Sequence, residues 1–398
     1  MKILLINKYY YLKGGSEKYL FELEKLLKQQ GHQVKVFSMS HPQNLPTGDD
    51  RFFIANQNFK KLPWLKKLLN FKNSLYRKES VVQLQKLLQT FKPDLAHLNN
   101  INFQLTTSPV DLLRRQKIPI VMTLHDYQLI CPNHLLYDLK KNCFACRGKK
   151  FYRCLFKKCY QNSRWLSLAA ALESYFNHWR GVYNKIDLFI SPSEFLKTKM
   201  AAAGFPAEKI IVLPNFLTSA RPVQLPKNKE KYFLYIGRLN PEKGIGDLIS
   251  FFQKQPGHHL KIIGSGPLAG QLTNLGANFE YLGQLGAIAT QNYLARARAL
   301  IVPSNWPENC PYVILEALAL GTPILAAPVG GQAEIIKPGI NGYLFNNYEQ
   351  LAEILTDFSN NPELIEKLSA AALKSNQAYA AETYYSKLFP LYQSLVNV

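Results

Sequence analysis

Acidic residues are scarce in the first half of this chain, and long apolar runs are missing from all of it. Residues 1 to 220 hold 34 Lys and Arg against 14 Asp and Glu, a balance of +20, whereas residues 221 to 398 hold 14 against 13. One half therefore faces an anionic partner; nucleic acid, an anionic membrane surface and a phosphorylated acceptor all carry that charge. No recognition motif for nucleic acid accompanies the charge, so a nucleic-acid-binding protein is the weaker reading. No apolar run reaches the ~18 residues that a bilayer crossing needs. The apolar part of the N-terminus, Ile3 to Ile6, is too short for a signal peptide and reads as a first strand. These absences predict a cytoplasmic chain, peripheral on the inner face of a membrane where its charge takes it there. No biased tract occurs and 47% of the residues are hydrophobic, which excludes disorder.

At 398 residues the chain is too long for one core, since single cores rarely grow past ~250 to 300 residues. Lys2 to Asn7 is a strand running into a loop with Gly14 and Gly15. A helix with Tyr19, Leu20, Leu23, Leu26 and Leu27 on one face follows, and Gln33 to Ser38 is the next strand. The loop lacks a Gly-x-Gly-x-x-Gly fingerprint, which disfavours a dinucleotide site. Gly15 would let a backbone N–H approach a phosphate or sugar, and a plain turn is the alternative. Ile118 to Leu124 delivers His125-Asp126 to a strand's C-terminal end, where open α/β sheets bind ligands; a structural histidine is the alternative. Pro214-Asn215 marks a junction, after which the alternation restarts at Tyr232 to Ile236. The expected fold is α/β, with two Rossmann-like domains facing a cleft. Residues 1–215 form the first domain, residues 216–377 the second, and 378–398 a C-terminal helix crossing back to the first.

Two local features stand apart. In residues 56–78, Lys60, Lys61, Lys66, Lys67, Lys72, Arg77 and Lys78 interleave with aromatic and aliphatic side chains, which suits either the interface of an anionic bilayer or a helix packed on the domain. In residues 131–159, five of the six cysteines are gathered. Disulfides are improbable in a cytosolic protein, so Cys143, Cys146, Cys154 and Cys159 are candidate ligands of a structural zinc. An iron–sulfur cluster and reduced cysteines in an insertion loop remain alternatives.

The stretch Pro307 to Gly321 organises the rest. Pro311 suits the first position of a helix, with Asn309 or Cys310 as its cap, and Gly321 suits the left-handed residue past its end. Between them every residue is apolar or Tyr except Glu316, which is thus expected to be a buried acid needing a partner. Glu308 lies in the loop ahead. Unpaired N–H groups and the macrodipole at the helix start attract an anion such as a diphosphate. Five residues from Pro311 to Glu316 rise by roughly 7.5 Å, of the order of the distance from a diphosphate to a ribose. Each carboxylate accepts two hydrogen bonds from a vicinal diol, which describes a nucleotide-sugar site.

Gly237-Arg238, Glu242-Lys243-Gly244, Gly264-Ser265-Gly266-Pro267, Glu308 and Glu316 with seven residues between, Gly330-Gly331 and Asn341-Gly342 occur in one order. In that order they resemble the motifs of retaining GT-B glycosyltransferases of the family-4 type. The resemblance covers the whole chain and is most specific over residues 230 to 345. It implies that Arg238 and Lys243 bind the diphosphate of a UDP- or GDP-sugar, that Glu316 holds the ribose and that Glu308 holds the sugar. Asn309, Cys310, Tyr312, Gly266 and Gly15 would lie along the donor, and His125 would face its sugar. No cofactor is required for this chemistry beyond the donor. The acceptor would be a glycan, lipid-linked or anionic. A GT-B-like epimerase or phosphorylase would share the fold. Pro214-Asn215-Phe216 departs from the family's frequent Pro-Asn-Gly, so that turn must avoid the left-handed region that glycine reaches.

Overall fold

In the computed structural model, which describes residues 1–56, 73–138, 140–218, 225–226, 228–272 and 275–397, the alternating pattern resolves into two units. The first comprises Met1–Leu135, Phe144–Leu213 and Tyr385–Val398; the second comprises Leu136–Cys143 and Pro214–Tyr384. The first carries β1 (Lys2–Ile6), α1 (Gly15–Gln29), β2 (Gln33–Phe37), α2 (Lys78–Thr90), β3 (Leu95–Leu98), α3 (Ser108–Arg115) and β4 (Ile120–Thr123). It continues with α4 (Arg153–Lys157), α5 (Arg164–Trp179), β5 (Leu188–Ser191), α6 (Glu194–Ala202) and β6 (Ile210–Val212). Its strands pair in parallel in the order β2-β1-β3-β4-β5-β6. Strands β3, β4 and β5 are buried along their whole length, which is why they read as unbroken apolar runs rather than as alternation.

The second unit holds β7 (Phe233–Ile236), α7 (Ile245–Phe252), β8 (Leu260–Ile263), β9 (Phe279–Tyr281), α8 (Ala287–Arg296), β10 (Ala299–Val302) and α9 (Tyr312–Ala319). It is completed by β11 (Ile324–Ala326), α10 (Gln332–Ile335), β12 (Gly342–Leu344), α11 (Tyr348–Asn360) and α12 (Pro362–Ser375). The parallel order is β12-β11-β10-β7-β8-β9. Each sheet is thus a doubly wound one whose order reverses beside its first strand, at β1/β3 and at β7/β10. The crevice outside the strand ends at such a reversal is where open α/β sheets take ligands. A last helix, α13 (Ala381–Val396), puts its residues from Tyr385 onward in the first unit. There the Tyr392 hydroxyl meets His97 Nδ1 on β3 and the Tyr385 hydroxyl lies 2.8 Å from His32 Nε2.

Several local expectations are revised. Pro311 is the N-cap of α9, with ψ 128°, rather than its first helical residue, and no side chain caps that end; Asn309 and Cys310 lie before it. Gly321 is left-handed at φ +60° as the helix end requires. Glu316 is half-buried, not buried: Val313, Glu316 and Ala319, three apart, form an open stripe on a helix that is otherwise enclosed. Phe216 avoids positive φ and stacks on Tyr384, ring centroids 4.0 Å apart.

The basic segment divides. Residues 57–72, with Lys60, Lys61, Lys66, Lys67 and Lys72, lie outside the described residues. Arg77 is not a surface cation: it is buried, donating to the carbonyls of Gln104 and Ala55 at 2.9 and 2.6 Å and to Glu79. Cys146, Cys154 and Cys159 pack with Phe151 and Ala171 as a small apolar core, while Cys143 is half-buried in the stretch that belongs to the second unit. Among the described residues no three His, Cys, Asp or Glu side chains are arranged to hold a metal, so the four expected zinc ligands are not gathered as a ligand set. Buried cysteine is here a small hydrophobe.

The motif glycines of the second unit are demanded by close approach of backbone. A methyl on Gly264 would sit 1.9 Å from the Gly237 carbonyl oxygen, and its φ of +147° is one that other residues rarely adopt. Gly264→Ala is therefore expected to cost about 2–4 kcal/mol, lowering the unfolding temperature of this unit by about 10 °C. Gly257→Ala, where nothing lies within 4 Å of the added carbon, is the control and should leave it in place in the same calorimetric scan.

Candidate functional site

At the β7/β10 reversal the loops after the two strands carry the predicted donor residues. Ser304, Trp306 and Glu308 follow β10 on a segment that bends at Asn305 and Trp306, where both backbone amides donate to the Glu242 carbonyl. Ser304 Oγ and Trp306 Nε1 donate to Glu308 Oε1 at 3.2 and 3.1 Å, and the Lys243 ammonium pairs with the same oxygen. That ammonium also lies 5.0 Å from the centre of the Trp306 ring. A carboxylate so deeply set is held in one orientation by a cation and two neutral donors. Lys243 is placed by a short turn, Pro241–Lys243, ended by left-handed Gly244, whose added carbon would fall 1.9 Å from the Pro303 carbonyl oxygen. On the far side Gly331 N donates to the Glu308 carbonyl at 2.6 Å, and Gly330 lies so close that a side chain there would meet the same carbonyl at 2.3 Å.

Arg238, just after β7, is a different kind of cation. Its side chain is 61% exposed and only loosely tied, 3.9 Å from Glu242, so it is available to an incoming anion in a way that Lys243 is not. Gly266 packs on the Leu239 backbone, which explains its residue type without a ligand. Asn309 and Cys310 are buried just ahead of α9, and burial pushes the Cys310 thiol up to about 12, so it stays protonated at neutral pH. Tyr312, the first residue of α9, and Glu316 lie one turn apart on that helix.

In the first unit the corresponding strand ends, after β3 and β4, line a small cavity that includes Asn99, Asn102, His125, Asp126 and Gln128. Burial, with Asp126 opposing and Lys8 reinforcing it, holds the His125 imidazole down to about 4, so it is neutral at pH 7. Its Nε2 is 2.8 Å from Asn99 Oδ1, which assigns the proton to Nε2. Burial alone would raise the Asp126 carboxyl, but the hydrogen bond and charge of His134, with Lys8 and the Gln128 amide, keep it below its usual range. Gly15 opens α1, whose first turn already contains a carboxyl: buried Glu17 accepts from Ser16 Oγ and Asn7 Nδ2. Glu173 of α5 closes the cluster, accepting from Phe103 N at 3.0 Å, and burial pushes its carboxyl up to about 8.

Residues 13–221 match the family model described as Glycosyltransferase Family 4, and residues 218–375 match that of Glycosyl transferases group 1. The chain belongs to glycosyltransferase family 4. Among its relatives is the alpha-monoglucosyldiacylglycerol synthase of Acholeplasma laidlawii, 24% identical over 389 residues that span 94% of this chain and 92% of the relative. Sucrose-phosphate synthase from Thermosynechococcus elongatus superposes with a TM-score of 0.71 at 18% identity, covering 99% of this chain and 98% of that one. Anabaena HepE in complex with UDP superposes at 0.65 with 19% identity, covering 99% of this chain and all of that one. The two parallel six-stranded sheets are those of the GT-B glycosyltransferases.

In this glycosyltransferase the structure brings Arg238, Lys243, Glu308, Asn309, Cys310, Tyr312, Glu316 and Gly266 together in the second unit, with Gly15 and His125 in the first. Ser304 and Trp306, which grip Glu308, were missed although they stand just ahead of it in the sequence. Asp126 and Glu173 were missed as a pair because no spacing links a strand end to a helix 47 residues later.

Glu173 supplies a pH test. Its folded carboxyl titrates near 8 while an unfolded one titrates near 4.5, so its contribution is complete below 4.5 and is lost as pH rises toward 8. Ordinary histidines are half titrated at about 6.5 and contribute alike to the wild-type protein and to a Glu173 variant. Between pH 6.5 and 8 the wild-type unfolding temperature should therefore fall with rising pH relative to that of Glu173→Gln, which keeps an acceptor for Phe103. Parallel slopes in thermal melts of the two proteins would contradict the assignment.

Proposed function

We propose that this protein transfers a sugar, with retention, from a UDP- or GDP-sugar to a glycan acceptor that is lipid-linked or anionic, in the synthesis of a cell-surface polysaccharide or glycolipid. The observation that carries this reading is the Glu308 carboxylate clamped by Lys243, Trp306 and Ser304 at the β7/β10 reversal, with exposed Arg238 beside it and the start of α9 following. In this reading a diphosphate meets Arg238 first and the α9 amides next. Lys243 keeps donors to spare after pairing with Glu308 and turns them to the phosphate. Glu316, on the open stripe of α9, takes the ribose diol; the second carboxylate oxygen of Glu308 takes the hydroxyls of the donor sugar.

The reaction breaks the bond from the sugar's anomeric carbon to phosphate oxygen and forms one from the same carbon to an acceptor oxygen on the same face. The departing phosphate takes the acceptor proton. Arg238 and Lys243 offset the charge that develops on the diphosphate. His125, neutral and fixed by Asn99, offers hydrogen bonds to the sugar rather than charge. The UDP complex of the Anabaena protein supports a nucleotide-sugar donor, and the glycolipid product named for the Acholeplasma relative supports a lipid-linked acceptor.

Titration calorimetry with UDP and GDP tests the donor part. Arg238→Ala and Glu316→Ala should each weaken the preferred nucleotide by roughly 10- to 100-fold, the worth of one or two charge-assisted hydrogen bonds. Binding at wild-type strength in both variants would refute the assigned site. The anomeric configuration of the product, read by NMR, checks retention, and inversion at C2 or release to inorganic phosphate would indicate an epimerase or a phosphorylase instead.

A further inference from the structure

Helix α5 is inside out. Its buried face consists of Ser167, Ala170, Ala171, Glu173, Ser174 and Asn177, small or polar residues throughout. Its solvent face repeats apolar residues every three or four positions: Trp165, Leu168, Leu172, Tyr175 and Trp179. Trp165 and Trp179 are 79% and 82% exposed. From Trp165 to Trp179 the one charged side chain is Glu173, which points inward. A helix on a water-facing surface ordinarily shows the opposite pattern.

The helix cannot roll over to hide this stripe, because its polar face is bonded to the unit. Glu173 accepts from Phe103 N at 3.0 Å, Thr107 Oγ1 donates to Asn177 Oδ1 at 2.7 Å, and Tyr160 N donates to Ser167 Oγ at 3.1 Å. Helix α4 extends the surface. Tyr152 N donates to the Tyr175 hydroxyl at 3.2 Å, and Phe156 is 75% exposed. Beneath both, Phe151 packs with the cysteines and Ala171 of α5. Around the aromatics Lys149, Lys150, Arg153, Lys157, Lys158 and Arg164 are all exposed. Between Phe144 and Arg164 there are seven Lys and Arg and no Asp or Glu, so the rim is uniformly positive.

We propose that the α4–α5 surface is the seat of this protein on an anionic phospholipid bilayer, with α5 lying in the plane of the interface. Trp and Tyr favour the headgroup level of a bilayer. The stripe from Trp165 to Trp179 runs for roughly 21 Å, a length for lying on a membrane and not for crossing one. Among the described residues no helix is long and apolar enough to cross. The basic rim supplies electrostatic attraction to acidic headgroups. This deepens the proposed function by giving its membrane-bound acceptor a docking face, and it needs no residue of the donor site.

The test is sedimentation of the full-length protein with vesicles of phosphatidylcholine alone or mixed with phosphatidylglycerol. Wild-type protein should bind the anionic vesicles and bind neutral ones far less. Trp165→Ser combined with Trp179→Ser should weaken anionic-vesicle binding at least ~10-fold. A second variant with Lys149, Lys150, Lys157 and Lys158 changed to Gln should lose the preference for phosphatidylglycerol. Both variants remove exposed side chains, and an unchanged melting temperature and unchanged UDP binding establish that each is folded. Vesicle binding that survives the Trp pair at full strength would overturn the proposal. So would a wild-type protein that ignores anionic vesicles but self-associates through these residues, with the Trp variant monomeric. Either failure would leave the donor-site reading standing, because UDP binding is read separately.

Discussion

A carboxylate buried at a strand end has to be answered by a cation, and in the second unit that requirement organises the site. Glu308 is answered by Lys243, 65 positions earlier in the chain, and the pairing fixes how the loop after β7 meets the loop after β10. The approach is possible because Gly244, Gly264 and Gly330 are bare: at each, an added carbon would collide with backbone at 1.9 to 2.3 Å. The glycines, the ion pair and the neutral donors Ser304 and Trp306 therefore form one device. Breaking the pair from either side would leave an uncompensated charge in a low-dielectric place, which is far costlier than losing a surface bridge. The cation that stays exposed is Arg238, and the division of labour follows from burial: one positive group holds the site's shape and the other meets solvent.

The first unit reaches an ordered set of strand ends by the opposite route, suppressing charge instead of pairing it. His97 and His125 are held neutral by burial, at about 3 and about 4, and Glu173 is held protonated near neutral pH. Asp126 is the exception, kept ionised by His134, Lys8 and a backbone amide. The half with +20 in residues 1 to 220 keeps most of its cations outside; Arg77 is buried among two carbonyls and Glu79, and Arg180 and Lys35 pair with Asp111 and Asp49.

The fold class was legible in the sequence because both its signals are local. Parallel strands buried on two faces read as short apolar runs, and those of β7 to β10 ended in glycine or proline before the next element. The order of motifs from Arg238 to Gly342 was legible for the same reason. What could not be read were the consequences of rotation and of distance. Three residues of α9 spaced three apart are open, so Glu316 is half-buried in a sequence that looked apolar on all sides. The clustering of cysteines in sequence suggested a ligand set, whereas in space Cys146, Cys154 and Cys159 are the floor of a small apolar core. The grip of Lys243 on Glu308 spans two strands and a helix, and no periodicity encodes it.

Helix α5 shows why an amphipathic pattern alone does not tell inside from outside. Its apolar stripe is as regular as that of α1, and the ordinary inference would bury it. The deciding fact is the length of the polar side chains on the other face. Glu173, Asn177 and Ser167 each reach a specific backbone or side-chain partner in the unit, and those bonds fix the rotation of the helix before the aromatic residues can compete for it. Burying Trp165 and Trp179 instead would strand Glu173 in water and leave Phe103 N and Thr107 without their acceptors. The energy lost by exposing two indoles is recoverable from an outside apolar phase, whereas a buried polar group without a partner has no such remedy. The inverted helix is thus the stable arrangement for a chain whose outer surface meets something other than water.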